Sequence, residues 1–311
     1  MVIMEIIDGK AIAQKIIDKL KSQKTPEKIL AVIQVGENPV SASFIKQKEK
    51  VAKELGVDFR LYEFDEGISQ DNLRKEVVKI SNLKKVGGII IQLPLPKHIN
   101  NQYVLNAIPR EKDIDVLGER ALGAFYAGRN QILPPAVGVV EELLRTTNYE
   151  LQIKKVAVVG LGRLVGKPIA VWLMKKCKEL YLLDQESDLS HSASFLQQSS
   201  GQAGQAILKQ ADLVICGVGK AGIIKPDMLK NDASVIDFGY DINHETYNIK
   251  HETSEKEYEN KIKISGDFDP SDVTSYMLHV TCFYTPTPGG TGPVLVAKIF
   301  ENFYTLNNES R

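Results

Sequence analysis

The sequence predicts an α/β protein with two domains, each built on parallel β-strands. Strand-like apolar runs alternate with amphipathic helical stretches along almost the whole chain, which is the pattern that parallel sheets and their crossover helices produce. The chain has 311 residues, more than a single hydrophobic core usually organises. A polar stretch from Thr146 to Lys155, between a helix and a strong strand, marks the expected boundary.

The elements of the first part follow from apolar spacing and turn residues. Asp8 is expected to cap a helix whose Ile12, Ile16 and Leu20 recur at helical spacing. The next expected elements are a strand at 30–35, a helix from Ser41 that ends with Gly56 as its cap, a strand at 59–64, a helix from Ser69, a strand at 86–93 and a helix at 102–108.

The second part opens as a βαβ unit. A strand at 156–160 leads through a glycine-rich turn into a helix at 165–176, and further strands are expected at 180–183, 213–216 and 234–238. After Pro293 an amphipathic helix is expected to return to the first domain. We therefore predict one domain at 1–145 with 286–311 and a second at 146–285. The polar stretches 186–205 and 244–263 are interpreted as solvated surface.

The composition limits the possible partners. Lys and Arg total 39, as do Asp and Glu, so the net charge is zero, which argues against nucleic acid or an anionic membrane as a partner. No leader pattern is seen, and no apolar run approaches the roughly 20 residues of a membrane span. Cys177, Cys216 and Cys282 lack metal-site spacing, so we expect no metal and a cytoplasmic protein with reduced thiols.

Lys48 is an anomaly on its predicted helix. It shares a stripe at helical spacing with Phe44, Val51 and Leu55, so it lies where an apolar residue is expected. A partly desolvated ammonium has a lowered pKa, which suits acid–base chemistry near neutral pH. The alternative is a lysine that extends its stem along the core to reach water. The spacing leaves both interpretations open.

Gln92 and two aspartates form a second group of candidates. Gln92 ends an apolar strand, and ligands of open α/β sheets bind at the carboxyl ends of strands. Its amide is expected either to orient a lysine or substrate carbonyl, or to satisfy loop backbone groups. Asp113 and Asp115 alternate in an extended loop, so one can face a pocket while the other caps locally, although such pairs are usually solvated.

A glycine-rich turn follows the strand at 156–160. Gly160 and Gly162 let the backbone approach a pyrophosphate, and the next helix supplies amide donors; Gly166 comes one position later than in the usual dinucleotide pattern. Asp184 ends the next strand, where an acidic residue meets the ribose of NAD or serves as a turn residue. The turn favours a Rossmann-like, doubly wound dinucleotide-binding domain.

Two further loops are rich in glycine. Gly217 and Gly219 follow another strand of the second sheet, and a Pro- and Gly-rich loop containing Pro288, Gly289 and Gly290 precedes the last helix. Such small residues admit a flat ligand or a cofactor ring, although a simple connector has the same composition.

Together these segments resemble the bifunctional methylenetetrahydrofolate dehydrogenase/methenyltetrahydrofolate cyclohydrolase family. The resemblance runs nearly from end to end. Its most specific pieces, in order, are Val35-Gly36-Glu37-Asn38-Pro39, Ser43-Phe44-Ile45-Lys46-Gln47-Lys48, Gln92-Leu93-Pro94-Leu95-Pro96, Lys112-Asp113-Ile114-Asp115, Val165-Gly166-Lys167-Pro168 and Pro288-Gly289-Gly290-Thr291-Gly292-Pro293.

The resemblance implies a folate domain followed by an NAD(P)-binding domain, a folate cleft between them, and a cytoplasmic homodimer. It implies oxidation of 5,10-methylenetetrahydrofolate with NADP, or with NAD as the alternative, and hydrolysis of the product to 10-formyltetrahydrofolate. The implied catalytic residues are Lys48 as acid–base, Gln92 as its support and Asp115 on the pterin. The expected substrate-binding residues are Phe44, Ile91, Leu93, Pro288, Gly289 and Gly290; those for the cofactor are Gly160, Leu161, Gly162, Arg163, Gly166, Asp184, Gly217, Gly219 and Tyr240.

Several positions depart from the family pattern. Phe44 replaces the usual Tyr and has no hydroxyl to bond the lysine, and Val116 and Leu117 replace Gly and Phe. Pro-Cys-Thr-Pro appears as 134–137, Pro-Pro-Ala-Val. The arginine and serine that meet a 2′-phosphate are lost, and Asp184 and Glu186 would repel one, so NAD competes with NADP. A monofunctional NAD-preferring dehydrogenase and a non-catalytic folate- or nucleotide-binding regulator remain the alternatives.

Overall fold

The computed structural model describes residues 5–184, 199–249, 257–271 and 282–308. The chain forms two compact units. The first unit comprises Lys10–Leu143 and Pro293–Arg311, and the second comprises Met1–Gly9 and Leu144–Gly292. The predicted domain limits, 1–145 with 286–311 and 146–285, differ from these units at residues 1–9, 144–145 and 286–292. Residues 5–9 group with the second unit because the short strand Glu5–Ile6 pairs in parallel with Phe283–Tyr284.

In chain order the elements are β1 (Glu5–Ile6), α1 (Gly9–Lys21), β2 (Ile29–Val35), α2 (Pro39–Leu55), β3 (Asp58–Phe64), α3 (Gln70–Asn82), β4 (Val86–Ile91), α4 (Asn101–Leu105), α5 (Glu119–Tyr126), α6 (Pro135–Thr146), β5 (Lys155–Val159), α7 (Gly166–Leu173), β6 (Glu179–Leu183), α8 (Ser199–Leu208), β7 (Leu213–Cys216), β8 (Ser234–Asp237), β9 (Asp241–Ile249), β10 (Glu257–Ser265), β11 (Phe283–Tyr284) and α9 (Thr291–Asn308). None of the helices in the described ranges is long and apolar enough to cross a membrane.

The first unit is built on a parallel sheet in the order β3-β2-β4. Every residue of β4 and nearly every residue of β2 is buried, as expected for strands covered on both faces. The strand order reverses beside β2, so the carboxyl ends of β2 and β4 form the point where ligands of open α/β sheets bind. The loop into α2 leaves one of these ends, and Gln92 follows the other.

The C-terminal helix α9 belongs to the first unit, as the sequence predicted. Phe300 and Phe303 are fully buried there. Asn302 donates through Nδ2 to the backbone oxygens of Ile114 and Leu133, at 2.9 Å each. The far end of the chain therefore fixes the loop that carries the aspartate pair.

The second unit contains a six-stranded parallel sheet in the order β1-β11-β8-β7-β5-β6. Its core includes buried aliphatic residues of β5, β7 and β8. The strand order reverses at β5, between β6 and β7, which confirms the doubly wound arrangement. The carboxyl ends of β5 and β7 are thus the expected ligand edge of this sheet.

Some element limits differ from the predicted ones. α2 begins at Pro39 rather than Ser41, because Asn38 is its cap and accepts the Ser41 amide hydrogen at 3.0 Å. The polar stretch at 244–263 contains most of an antiparallel hairpin, β9 with β10, and α8 begins inside the stretch at 186–205. The strands β1 and β11 were not predicted, since two residues are too few for a period to show. The helix α5 was not predicted either.

Candidate active site

Lys48 lies in the middle of the buried face of α2. The face repeats through Ser41, Ile45, Lys48, Ala52 and Leu55, whereas the neighbouring residues 46, 47, 49 and 50 are exposed. The Lys48 side chain is only 6% exposed. It therefore does not reach bulk water, and the interpretation as a lysine that extends along the core to solvent is excluded.

Gln92 is the hydrogen-bond partner of Lys48. The Gln92 backbone amide donates to the Ile33 oxygen at 2.8 Å and so extends the pairing of β4 with β2. Lys48 Nζ donates to Gln92 Oε1 at 2.9 Å, and Gln92 Nε2 donates to the Leu93 oxygen at 3.0 Å. Because an ammonium only donates and a carbonyl only accepts, these partners fix the amide orientation. The Gln92 side chain thus contacts both the lysine and a backbone oxygen of the loop, the two alternatives that its strand-end position left open.

The two aspartates of the loop have different environments. An isolated parallel bridge between Ile89 and Asp113 places the loop beside β4. The buried Asp113 carboxylate accepts from the backbone amides of Leu117 and Gly118 at 3.1 and 2.7 Å. Burial raises the pKa of Asp113 to about 6, although these amide bonds oppose the rise. Asp113 therefore caps the loop, while Asp115 is left to interact with Lys48.

Lys48 and Asp115 perturb one another electrostatically. Burial lowers the pKa of Lys48, and the negative charge of Asp115 partly opposes this change. Burial raises the pKa of Asp115, and the positive charge of Lys48 opposes that rise. Both shifts bring the pKa values of the two groups closer to neutral pH, where each group exchanges its proton more readily. An amine with a lowered pKa next to an ionisable carboxyl is suited to proton transfer.

Val116 occupies a backbone conformation that favours glycine. Its φ is 55°, and a β-branched residue in this left-handed region is a true outlier. The side chain is fully buried and packs with Ala121 and Ile132. The family pattern has glycine at this position, directly after the aspartate that matches Asp115. The substitution therefore places backbone strain, typically about 1–3 kcal/mol, beside the candidate site.

The other expected substrate residues fall into two groups. Phe44 lies one turn before Lys48 on α2 and is half-buried, Ile91 is the buried last residue of β4, and Leu93 is half-buried after Gln92. These three share the first unit with the lysine. Pro288, Gly289 and Gly290 belong to the second unit. The segment at 134–137, which differs from the family pattern, is buried at the start of α6.

The glycine-rich turn occupies the ligand edge of the second unit. Gly160 has φ of 85°, and a Cβ on Gly166 would lie 1.8 Å from the Gly160 oxygen, so α7 packs closely on the end of β5. A Cβ on Gly162 would meet nothing within 4 Å, so open space lies beside this glycine. The turn therefore combines a close helix–strand contact with backbone that a pyrophosphate can approach, and it fits a dinucleotide.

Asp184 and Gly217 adjoin this turn. The Leu161 amide donates to Asp184 Oδ1 at 3.2 Å, so the aspartate at the end of β6 contacts the turn. A Cβ on Gly160 would lie 3.0 Å from the Gly217 oxygen, which shows that the loops after β5 and β7 touch. Arg163 and Gly219 are exposed, and Tyr240 is half-buried after Gly239. Glu186, expected to repel a 2′-phosphate, lies outside the described residues.

Sequence reasoning missed a buried polar cluster behind the β7 loop. Cys216, Asp237 and Asp267 are fully buried, and one potential ligand atom from each lies within 4.8 Å of the others. One signal was available, because Asp237 ends the apolar run Ser234–Asp237 at the carboxyl end of its strand. Asp267 gave no such signal, since it lies in no predicted element and comes just after the charged stretch 244–263 that was interpreted as surface.

The fold and these groups of residues define a class of α/β enzymes with two units. One unit has a dinucleotide-binding sheet, and the other has a buried lysine that is hydrogen-bonded to a glutamine side chain. Residues 7–115 match the model of the tetrahydrofolate dehydrogenase/cyclohydrolase catalytic domain, and residues 134–311 match that of its NAD(P)-binding domain. The chain therefore belongs to the tetrahydrofolate dehydrogenase/cyclohydrolase family, which confirms the resemblance seen in the sequence.

Individual relatives agree with this assignment. The Bifunctional protein FolD of Agathobacter rectalis is 31% identical over 303 residues, with 96% of each chain covered. The crystal structure of Trypanosoma brucei N5,N10-methylenetetrahydrofolate dehydrogenase-cyclohydrolase, complexed with NADP cofactor and inhibitor, is similar with a TM-score of 0.82 and 26% identity over 99% of this chain and 98% of that one. The bifunctional enzyme FolD of Campylobacter jejuni has a TM-score of 0.79 and 30% identity, with 99% and 100% covered.

The predicted function is thereby confirmed at the level of the family. The chain is a bifunctional folate enzyme, a methylenetetrahydrofolate dehydrogenase and methenyltetrahydrofolate cyclohydrolase that uses NAD(P). The monofunctional dehydrogenase and the non-catalytic regulator are not favoured. The roles of individual residues stay predictions.

Proposed function

We propose that Lys48 is the acid–base of the cyclohydrolase reaction. The single observation that carries this role is the buried Lys48 amine, held at 2.9 Å from Gln92 Oε1 and within the field of Asp115. In the neutral form the amine accepts a proton as water adds to the electron-deficient methenyl carbon between N5 and N10. The resulting ammonium returns a proton to N5 as the C–N5 bond breaks. The added hydroxyl releases its own proton to water as the formyl C=O forms, which yields 10-formyltetrahydrofolate.

Gln92 and Asp115 are proposed to support this proton transfer. The Gln92 oxygen stabilises the ammonium by a charge-assisted hydrogen bond and holds the amine in one place. Asp115 stabilises the same charge at a distance and is proposed to accept hydrogen bonds from the pterin. Phe44 supplies a ring that can stack on the aminobenzoate. Phe44 lacks the family hydroxyl, but Lys48 already has its partner in Gln92, so we expect hydrolysis to be retained.

The second unit is proposed to hold the nicotinamide cofactor through the glycine-rich turn. When bound, the nicotinamide accepts the hydride from the methylene bridge. Gly160, Gly162 and the amide groups at the start of α7 are the proposed pyrophosphate contacts. Asp184 lies beside the turn through its bond with Leu161, where its charge would disfavour a 2′-phosphate. We therefore propose that NAD is used alongside NADP, the family default. Parallel measurements of kcat/KM with the two cofactors test this.

Two broader expectations are also proposals. We propose a cytoplasmic homodimer acting in one-carbon metabolism on tetrahydrofolate derivatives, with no nucleic-acid partner. The family resemblance and the balance of 39 basic against 39 acidic residues support this proposal. Sedimentation analysis of the purified protein tests the oligomeric state.

The role of Lys48 is tested with Lys48→Met and a matched control, Lys46→Met. Lys46 lies on the same helix but is exposed. The Lys48 variant is expected to lose hydrolysis of 5,10-methenyltetrahydrofolate by about a thousandfold, within the range for removal of a general acid–base. The Lys46 variant should hydrolyse at the wild-type rate. Wild-type hydrolysis in a folded Lys48 variant would refute the assignment.

A further inference from the structure

The loop after β7 is organised around a buried carboxylate. Asp267 accepts hydrogen bonds from three consecutive backbone amides: Val218 donates to Oδ2, and Gly219 and Lys220 donate to Oδ1 at 2.9 and 2.8 Å. Asp267 itself has no exposed surface. Three successive amides that converge on one anion form a nest, the arrangement that proteins often use to bind an external phosphate. Here the protein fills the nest with its own side chain.

Asp237 holds Asp267 in place from behind. The Asp267 amide donates to Asp237 Oδ1 at 3.3 Å, and the Phe268 amide donates to Oδ2 at 3.0 Å. The Gly239 amide also donates to Oδ1, at 2.6 Å. A bridge between Ile224 and Phe268 fixes the same segment along the backbone. Asp267 is therefore a rigid anchor, tied to the end of β8.

A metal ion does not explain this cluster. All four oxygens of Asp237 and Asp267 already accept backbone amide hydrogens. The third member, Cys216, donates its thiol hydrogen to Asp237 Oδ1 at 3.4 Å, and burial raises the pKa of this thiol well above its usual value. A metal would need a thiolate in place of this protonated thiol, and it would have to compete with the backbone amides for the carboxylate oxygens. The two carboxylates act as hydrogen-bond acceptors for backbone amides.

The nest determines which backbone atoms the loop presents outward. The only cis peptide bonds among the described residues precede Pro94 and Pro288, so the peptides from 217 to 220 are trans. In a trans peptide the carbonyl points opposite to the amide hydrogen. Because the amides of residues 218–220 point at Asp267, the carbonyls of Gly217, Val218 and Gly219 point away from it. The position of the Gly217 oxygen agrees, because it faces Gly160 in the dinucleotide turn.

We propose that Asp267 is a positioning residue for the cofactor. Asp267 keeps the amides of the β7 loop pointing inward, so that the carbonyls of this loop accept hydrogen bonds from the nicotinamide half of the cofactor. This inference rests on the proposed use of the turn at 160–166 for the pyrophosphate. An outward nest beside that turn would compete for phosphate, whereas outward carbonyls select donors such as ribose hydroxyls and the carboxamide. Asp267 thus separates the phosphate and nicotinamide subsites by polarity, without touching the cofactor.

The test compares Asp267→Asn with Asp227→Asn, which removes an equal charge from an exposed position of the same unit. The Asn amide group would face an amide hydrogen of the nest, so the loop cannot keep all three bonds. The Asp267 variant is expected to bind NADP and NAD at least about tenfold more weakly by calorimetry. Its hydrolysis of 5,10-methenyltetrahydrofolate, proposed for Lys48 in the other unit, should stay within about twofold of wild type. Asp227→Asn should change neither value.

A second measurement needs no substitution. In the cofactor-free wild-type protein, the amide hydrogens of residues 218–220 are expected to exchange with solvent at least about a hundredfold more slowly than in an unstructured peptide. Exchange at the unstructured rate would overturn the proposal, even where Asp267→Asn fails to fold. Unchanged cofactor affinity in a folded Asp267→Asn protein would overturn it as well. A wild-type protein that binds neither NADP nor NAD would instead refute the proposed cofactor site.

Discussion

The hydrogen bond between Lys48 and Gln92 predicts that two substitutions of Gln92 shift the pKa of Lys48 in opposite directions. The amide oxygen of Gln92 lies 2.9 Å from Lys48 Nζ. Gln92→Glu places a full negative charge at that distance, which is worth about 6 kcal/mol with the ammonium at an effective dielectric constant of ~20. Burial of the new carboxylate offsets part of this energy. If half remains, about 3 kcal/mol, the fraction of neutral amine falls by about a hundredfold.

Gln92→Leu acts in the opposite direction. It removes the acceptor of a charge-assisted hydrogen bond, which costs the ammonium about 1.5–3 kcal/mol and costs the neutral amine less, because its N–H is a weaker donor. The pKa of Lys48, already lowered by burial, should fall further in this variant. Because the neutral amine is the base, hydrolysis rises with pH through the pKa of Lys48. The acidic limb of the rate profile should therefore move to lower pH in Gln92→Leu and to higher pH in Gln92→Glu.

The assay is the pH dependence of kcat for hydrolysis of 5,10-methenyltetrahydrofolate. Gln47→Glu is the matched control, because it adds the same charge next to Lys48 in sequence but on the exposed side of α2. Its profile should follow that of the wild type. Equal shifts in the two Gln92 variants, or a Gln47→Glu shift as large as that of Gln92→Glu, would refute the reasoning.

Three further predictions concern the aspartate, the turn and the core. Asp115→Asn should raise the KM for 5,10-methylenetetrahydrofolate by about tenfold or more, because the pterin loses a charged acceptor. It should also move the acidic limb of hydrolysis to lower pH, since the negative charge that raises the pKa of Lys48 is gone. Glu111→Gln, at an exposed position, is the control and should change neither value. Gly166→Ala places a Cβ 1.8 Å from the Gly160 oxygen and should lower Tm by roughly 3–10 °C. Gly162→Ala, whose Cβ would meet nothing within 4 Å, should keep Tm within about 2 °C of the wild type yet weaken NADP binding. Equal Tm values for the two variants would contradict the packing argument. Lys298→Met removes the ammonium that lies 3.0 Å from the buried Glu142 carboxylate, and it should reduce the free energy of unfolding in urea by about 3–5 kcal/mol. The double variant with Glu142→Leu should recover much of this loss.

Much of the fold was predictable because local signals agreed with one another. Ser69 caps α3 and Gly56 ends α2 as expected, since side-chain caps and left-handed glycines act within one turn of the chain. The buried strands β4 and β5 were evident from continuous apolar runs. The start of α2 was displaced by two residues because Asn38 competes with Ser41 as a cap, and proline is favoured at the first helical position.

The candidate site was only partly predictable, because its defining properties depend on contacts between distant segments. Helical spacing identified Lys48, but its bond to Gln92 joins residues 44 positions apart. Likewise, the sequence allowed Asp113 and Asp115 to have different roles without showing which was the cap. The anchor at Asp267 was not predicted, since its three bonds with the loop at 218–220 span nearly 50 positions.

The most direct test of the account is the titration of the Lys48 amine itself. Nitrogen-15 labelling of lysine side chains, with the Lys48 signal identified by its loss in Lys48→Met, gives this pKa by NMR. We predict that the pKa of Lys48 lies below the ordinary value of 10.5 and coincides with the pH of the acidic limb of hydrolysis. A Lys48 amine that titrates together with the surface lysines would contradict the proposed proton transfer.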